Sequence, residues 1–173
     1  MPRSGRVVTS LRRYTSNPQN PNQDALINDA LASARKTGAQ IELLRASTGR
    51  DFGNVFAELA QSQAEGLVIA DDEFFLSADA EIGSLSARHS VPAVFQGTAF
   101  TAAGGLMSYG TRFAELYHQA GAYSGLVLAG AAPADVPIYQ STAAELIVNL
   151  SSAKPLGIAL PQAIVDQATT LIR

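Results

Sequence analysis

Apolar positions along the chain follow two periods, one typical of helices and one typical of buried strands. Residues 22–37 carry an apolar side chain at every third or fourth position and stop at Gly38, which predicts an amphipathic helix with a glycine at its end. Residues 41–44 and 67–70 are short, unbroken apolar runs, as in strands buried on both faces. This alternation, from residue 17 onward, predicts an α/β fold in three layers: a parallel sheet flanked by helices.

The same patterns predict the remaining elements. Thr48, followed three positions later by Asp51, resembles a capping box and opens a second helix. Further helices are predicted over residues 77–89, 111–129 and 161–172, and further strands over residues 92–96, 106–109, 138–140 and 145–150. Right-handed crossovers would place the carboxyl ends of the parallel strands at one edge of the sheet, where open α/β sheets bind their ligands.

Composition narrows the possible functions. The chain has 173 residues, of which 47% are hydrophobic and 16% charged, which is typical of one globular domain. Four arginines precede the first acidic residue, Asp24, and the remainder is acidic, which argues against a nucleic-acid groove. With no Cys, a thiol nucleophile and a Cys-ligated metal are excluded. No apolar run reaches the ~18 residues of a membrane helix, so we expect a protein that is not membrane-embedded.

Residues 71–73, Asp-Asp-Glu, are the most prominent polar cluster. They follow a predicted central strand, and three carboxylates there could bind a metal ion or phosphate, as in a free-standing flavodoxin-like domain. They could equally be a solvated loop that begins the next helix. Phe74 and Phe75 follow at once, and an aromatic wall beside a few polar groups is typical of a ligand cleft. Motifs for acyl transfer, zinc hydrolysis and phosphate binding are absent, so we expect no enzyme.

Six segments, in order, resemble one known family. They are residues 17–22 (NPQNPN), 67–75 (LVIADDEFF), 87–93 (ARHSVPA), 104–110 (GGLMSYG), 133–137 (PADVP) and 145–157 (ELIVNLSSAKPLG). This order resembles the ABC-transporter substrate-binding proteins of the tryptophan/tyrosine type. That resemblance implies one lobe of the type I periplasmic-binding fold, and a protein that binds a small amino-acid-like or other polar organic solute without chemistry or a cofactor.

The resemblance also implies ligand-binding residues at the carboxyl ends of the strands. Asn17 would hydrogen-bond a ligand carboxylate, and Asp71 would pair with an amino group. Phe74 or Phe75 would wall an apolar group, and Gln96 would supply a polar contact. Each residue also has a structural alternative, as a turn residue, a cap, a core side chain or an edge hydrogen-bonder.

Members of this family have two lobes, and this chain resembles the second lobe with its crossover segments. We expect residues 1–16 to be a basic arm or a poor first strand, 17–105 the ligand-binding lobe, 106–140 the crossover toward a first lobe, and 141–173 the return. The resemblance implies an ABC permease as partner and a periplasmic location, although no signal peptide is recognised in the chain. The apolar side chains of helix 111–129 need a cover, which predicts a homo-oligomer formed through that helix.

Overall fold

The computed structural model describes residues 11–62, 65–141 and 144–173, and the account below concerns these ranges. They form a seven-stranded sheet with the spatial order β2-β1-β3-β4-β5-β6-β7. The strands are β1 (Leu11–Ser16), β2 (Gln40–Arg45), β3 (Gly66–Ile69), β4 (Ala93–Phe95), β5 (Met107–Thr111), β6 (Ala144–Asn149) and β7 (Thr170–Ile172). All neighbouring strands are parallel except β5 and β6, which pair antiparallel.

Helices connect the strands and cover the sheet. They are α1 (Gln23–Thr37), α2 (Gly49–Gln61), α3 (Glu73–Ser77), α4 (Asp79–Arg88), α5 (Thr98–Ala102), α6 (Phe113–Leu128), α7 (Leu150–Ala153) and α8 (Gln162–Gln167), with a 3-10 turn at Pro133–Asp135. Helix α1 lies on the face that carries Tyr14 and Val68, and α2 lies on the opposite face, against Thr15 and Leu67. The three-layer α/β fold expected from the sequence is therefore confirmed.

Local sequence signals explain where the first two helices begin and end. Gly38 takes a left-handed conformation, with φ of 71°, and its N–H bonds the carbonyl of Ala34 to end α1. At the start of α2, the backbone N–H groups of Ser47 and Thr48 donate to the Asp51 carboxylate at 2.9 and 2.8 Å. Thr48 and Asp51 therefore form the capping box that their spacing predicts.

The first strand is an internal strand of the sheet, between β2 and β3, although it carries two arginines. Arg13 is buried, and its guanidinium forms salt bridges with Glu42 on β2 at 3.0 Å and with Glu58 on α2 at 2.9 Å. Because the carboxylates of Glu42 and Glu58 compensate its positive charge, Arg13 can be buried in an internal strand. Residues 11–16 are thus the strand β1, and residues 1–10 of the expected arm lie outside the described ranges.

The main hydrophobic core lies between the sheet and helices α2 to α5. Helix α2 contributes one face to it, and Phe56, Phe75 and Phe100 are among the largest fully buried side chains. Helix α1 on the other side buries only Ala34. The two faces of the sheet are therefore covered to very different extents.

Two expectations about the elements were wrong, and a short helix was missed. The helix predicted over residues 77–89 is α4, but the separate helix α3 before it, which Asp72 caps, was not predicted. Residues 138–140 form no strand. The last predicted helix stops at Gln167, and residues 170–172 instead pair with β6 as strand β7, since the β-branched and apolar residues there also suit a strand.

Candidate functional site

A cavity of about 470 Å³ lies at the carboxyl edge of the sheet, where the ends of β3, β4 and β5 meet the start of β6. Asp71 follows β3, Gln96 follows β4, and Tyr109 and Thr111 belong to the end of β5. Their meeting is a consequence of parallel pairing, which brings the ends of β3, β4 and β5 to one edge. We call this space the edge cavity.

Asp71 and Gln96 form the polar centre of the edge cavity. The amide N–H of Gln96 donates to a carboxylate oxygen of Asp71. Asp71 is exposed and Gln96 half-buried, so the pair has a surface open to solvent. A carboxylate held by one amide keeps further lone pairs with which to accept hydrogen bonds from a ligand ammonium or hydroxyl.

Asn17 lies at the same edge but its side chain is engaged within the protein. Its amide nitrogen donates to the two carboxylate oxygens of Asp72 at 3.1 and 3.3 Å, and its carbonyl oxygen accepts from the backbone N–H of Gln19 at 3.0 Å. Asn20 also donates to Asp72, at 2.6 Å, and Asp72 caps α3 by accepting from the N–H of Phe74 at 2.8 Å. This buried network fixes the loop after β1 to the start of α3.

The two adjacent phenylalanines have different surroundings. Phe75 is 0% exposed and lies in the core, so it has no surface with which to contact a ligand at the edge. Phe74 is half-buried, and its ring stacks on that of Phe52 with centroids 5.2 Å apart and planes at 24°. Of the pair, Phe74 alone retains surface for an apolar contact.

The carboxylates of residues 71–73 have different neighbours and do not converge on one point. Asp71 bonds Gln96, Asp72 is buried in the asparagine network, and Glu73 is exposed on the first turn of α3. Along the described ranges, no three His, Cys, Asp or Glu side chains lie close enough to hold a metal ion. The geometry of this cluster gives no support to the metal or phosphate site of the flavodoxin-like alternative.

A larger cavity of about 680 Å³ borders Asp71 from the other side and extends along the face of the sheet next to α1. We call it the groove. It is lined by Tyr14 and Val68 from the sheet and by a stripe of α1 that includes Ala30 and Ser33. Burial raises the pKa of the Tyr14 phenol above its ordinary value, and the negative charges of Asp71 and Asp29 raise it further. Tyr14 is therefore neutral at pH 7.

Sequence reasoning missed Tyr109 and Thr111 as lining residues of the edge cavity. The predicted strand 106–109 ended before Thr111, whereas β5 runs to Thr111. The rule that places Asp71 and Gln96 at the carboxyl edge also applies to the end of β5. Applied to the predicted strand it would have identified Tyr109, and with the observed end it would also have identified Thr111. Along the described part of the chain, no helix combines the length and apolar character needed to cross a lipid bilayer.

Comparison with known proteins gives a consistent result. Residues 13–172 match the model of a protein family described as ABC transporter substrate binding protein. No curated protein matches the chain.

Solved structures share its fold, among them the three that follow. A conserved domain protein from Vibrio cholerae has a TM-score of 0.82 at 21% identity, over 94% of this chain and 54% of that one. An ABC domain in complex with L-Trp from Streptococcus pneumonia has a TM-score of 0.81 at 21% identity, over 94% and 56%. A ligand-free, open substrate-binding protein with adhesive properties from Clostridium difficile has a TM-score of 0.65 at 17% identity, over 95% and 54%. The chain thus spans about half the length of each structure.

Proposed function

This chain belongs to the ABC transporter substrate-binding protein family, and on that premise we propose that it binds a small polar organic solute at the edge cavity and performs no chemistry on it. An amino acid or a compound resembling one is the class of solute that we propose. The observation that carries this proposal is the Asp71–Gln96 pair, which presents a carboxylate to solvent at the carboxyl edge of a parallel sheet.

The chemistry of the edge cavity supports an amino-acid-like solute. Asp71 would accept from a ligand ammonium, and Gln96 and Thr111 offer donors and acceptors for a carboxylate or hydroxyl. Tyr109 supplies aromatic surface next to these polar groups, the combination usual in small-molecule sites. Phe74 does not line the edge cavity. The fold neighbour solved with L-Trp agrees with this class of solute.

Asn17 has a supporting part in this proposal. Its hydrogen bonds with Asp72 and Gln19 hold the loop after β1 in place, so its effect on a solute would be through the position of that loop. Phe75 is fully buried and packs against the ring of Phe74, with the two ring centroids 5.2 Å apart, so it would fix the position of that ring. The direct contacts that we propose in the edge cavity are those of Asp71 and Gln96.

We further propose that the solute is delivered to an ABC permease and that the protein works in the periplasm. Family membership supports both proposals. Under the domain organisation that we propose, residues 17–105 carry Asp71 and Gln96 of the solute site, residues 106–140 cross toward a first lobe, and residues 141–173 return to the sheet. The start of the crossover segment, strand β5, also lines the edge cavity through Tyr109 and Thr111.

The proposal is tested by calorimetric titration of the chain with amino acids, beginning with L-Trp and L-Tyr. We expect weak binding, because the edge cavity is open on one side and solvent screens the charge of Asp71. Asp71→Asn should abolish the binding with little change in thermal stability, whereas Glu73→Gln, which alters the exposed carboxylate on α3, should bind like the unchanged protein. A submicromolar dissociation constant for a monomeric chain would contradict the picture of an open, one-sided site.

A parallel thermal-shift titration with Mg²⁺ distinguishes the alternative function. A rise in melting temperature with Mg²⁺ that Asp71→Asn removes, together with no response to any amino acid, would overturn the proposal in favour of a metal-binding flavodoxin-like domain. No response to Mg²⁺ and a response to an amino acid would support it.

A further inference from the structure

Gly110 of strand β5 lines the edge cavity and lies directly against Gln96. A Cβ atom added at position 110 would lie 2.9 Å from the Cβ of Gln96, 3.2 Å from its carbonyl oxygen and 3.4 Å from its Cα. Nonbonded carbon atoms have their optimal separation at ~3.5–4.0 Å. The backbone of β5 therefore comes nearer to Gln96 than a residue with a side chain would allow.

The backbone conformation of Gly110 gives no other reason for a glycine at this position. Its φ does not lie in the left-handed region, so a residue with a side chain could adopt the same backbone angles. Gly110 belongs to the antiparallel ladder between β5 and β6, where it pairs with Glu145. A glycine inside a strand weakens that strand and often marks the close approach of another group. At Gly110 the approaching group is Gln96.

Gln96 connects the two sides of the edge cavity. It follows β4, which lies in the sheet between β3 and β5. On the β5 side its Cβ packs against Gly110, and on the β3 side its amide N–H donates to the carboxylate of Asp71. The side chain of Gln96 is thus held both at its base and at its tip.

A methyl group at position 110 would act on the base of this side chain. The atoms that it would meet are the Cβ, the carbonyl oxygen and the Cα of Gln96, and rotation of the side chain moves none of them. The whole residue would have to shift, and the amide at its tip would shift with it. Because a hydrogen bond weakens steeply as its geometry is distorted, this shift would impair the bond between Gln96 and Asp71.

We propose that Gly110 is a positioning residue of the solute site. By leaving space for Gln96, it aligns the amide with Asp71 and so holds the carboxylate in the orientation that meets the ammonium group of a solute. A binding group that is already held in place loses less entropy when the solute binds, and a displacement of ~0.5 Å is enough to impair such a site. This inference rests on the proposed function, since it concerns the same cavity.

NMR spectroscopy of isotope-labelled protein tests the geometry without any solute. The side-chain amide signals of Gln96 are identified as those that the variant Gln96→Ala lacks. We expect Asp71→Ala to shift these signals, because it removes the acceptor, and we expect Gly110→Ala to shift them in the same direction. If Gly110→Ala leaves the Gln96 signals in place, the proposal is overturned, whether or not a solute binds.

Calorimetric titration with the common amino acids, L-Trp and L-Tyr first, tests the consequence for binding. We expect Gly110→Ala to raise the dissociation constant about tenfold, the effect of one impaired hydrogen bond to a charged group. In the background of Gln96→Ala the same substitution should have no further effect, because Gly110 acts through Gln96. Equal losses in both backgrounds would overturn the proposal. Binding that Asp71→Asn abolishes and Gly110→Ala leaves intact would overturn the role of Gly110 alone, whereas no binding of any amino acid to the unchanged protein would overturn the proposed function as well.

Two further variants control for general crowding and for loss of folding. Gly66→Ala adds a Cβ 3.3 Å from the carbonyl oxygen of Pro92, at the amino end of β3 and outside the edge cavity, so it should change neither the Gln96 signals nor the affinity. Gln96→Asn keeps Gly110 and shortens the side chain by one methylene group, so it should weaken binding as Gly110→Ala does. It decides the matter if Gly110→Ala does not fold, because Gln96→Asn protein that binds as tightly as the unchanged protein would overturn the proposal.

Discussion

Replacing Asp72 with alanine is a direct test of the network that holds the loop after β1. The carboxylate of Asp72 is 7% exposed and accepts hydrogen bonds from Asn17, Asn20 and the backbone N–H of Phe74. The alanine variant removes all of these at once. It leaves the buried amide of Asn17 without its acceptor and helix α3 without its cap.

The magnitude follows from the groups left behind. A hydrogen bond to a charged group contributes ~1.5–3 kcal/mol, and an orphaned buried donor costs ~1–3 kcal/mol. Loss of an N-cap costs ~1 kcal/mol. These effects overlap, because they concern one carboxylate, so we expect Asp72→Ala to lower the free energy of unfolding by ~3 kcal/mol. Asp72→Asn keeps the volume and one acceptor oxygen, and we expect about half that loss.

Urea unfolding at pH 7 measures the effect. With a denaturant slope of ~2 kcal/mol per molar, a loss of ~3 kcal/mol moves the midpoint by ~1.5 M. The protein concentration is held fixed, since self-association would add a concentration-dependent contribution to stability.

The neighbouring carboxylate provides the matched control. Asp71 is exposed and bonds a single side chain, that of Gln96, so Asp71→Ala should change the free energy of unfolding by no more than ~0.5 kcal/mol. The reasoning is refuted if Asp72→Ala costs less than ~1 kcal/mol, or if the two alanine variants destabilise the protein equally.

Two further predictions concern local packing and pH. A Cβ added at Gly83 would lie 2.2 Å from the carbonyl oxygen of Phe100, so we expect Gly83→Ala to lower the free energy of unfolding by at least ~2 kcal/mol in urea. The control is Gly53→Ala, where the added Cβ meets open space on α2 and stability should stay the same or rise. Equal effects of the two substitutions would contradict this account. Hydrogen bonds from Ser47 and Thr48 lower the pKa of Asp51 below 3.8, so its contribution to stability is present above that pH and is lost as pH falls through the folded-state pKa. The difference in free energy of unfolding between the unchanged protein and Asp51→Asn should therefore narrow below about pH 4 in urea titrations. A difference that does not change with pH would exclude a stabilising role for the Asp51 carboxylate.

The sequence predicted those elements whose pattern is local. Helix α1 shows its period within its own fifteen residues and ends at a glycine, so its bounds were predicted to within one residue. Strand β1 could not be predicted with the same clarity, because Arg12 and Arg13 are unusual in a central strand. The groups that accommodate Arg13, Glu42 and Glu58, are contributed by other elements and become neighbours only on folding.

The candidate site was predictable in position but not in the role of each residue. The family resemblance pointed to residues 71 and 96 at the carboxyl ends of two strands, and the structure brings their side chains together because those strands are parallel neighbours. Nothing local distinguishes Asp71 from Asp72, however, because the asparagines that draw Asp72 inward lie more than fifty positions earlier in the chain. The same applies to Phe74 and Phe75, whose burial is set by where α3 meets α2.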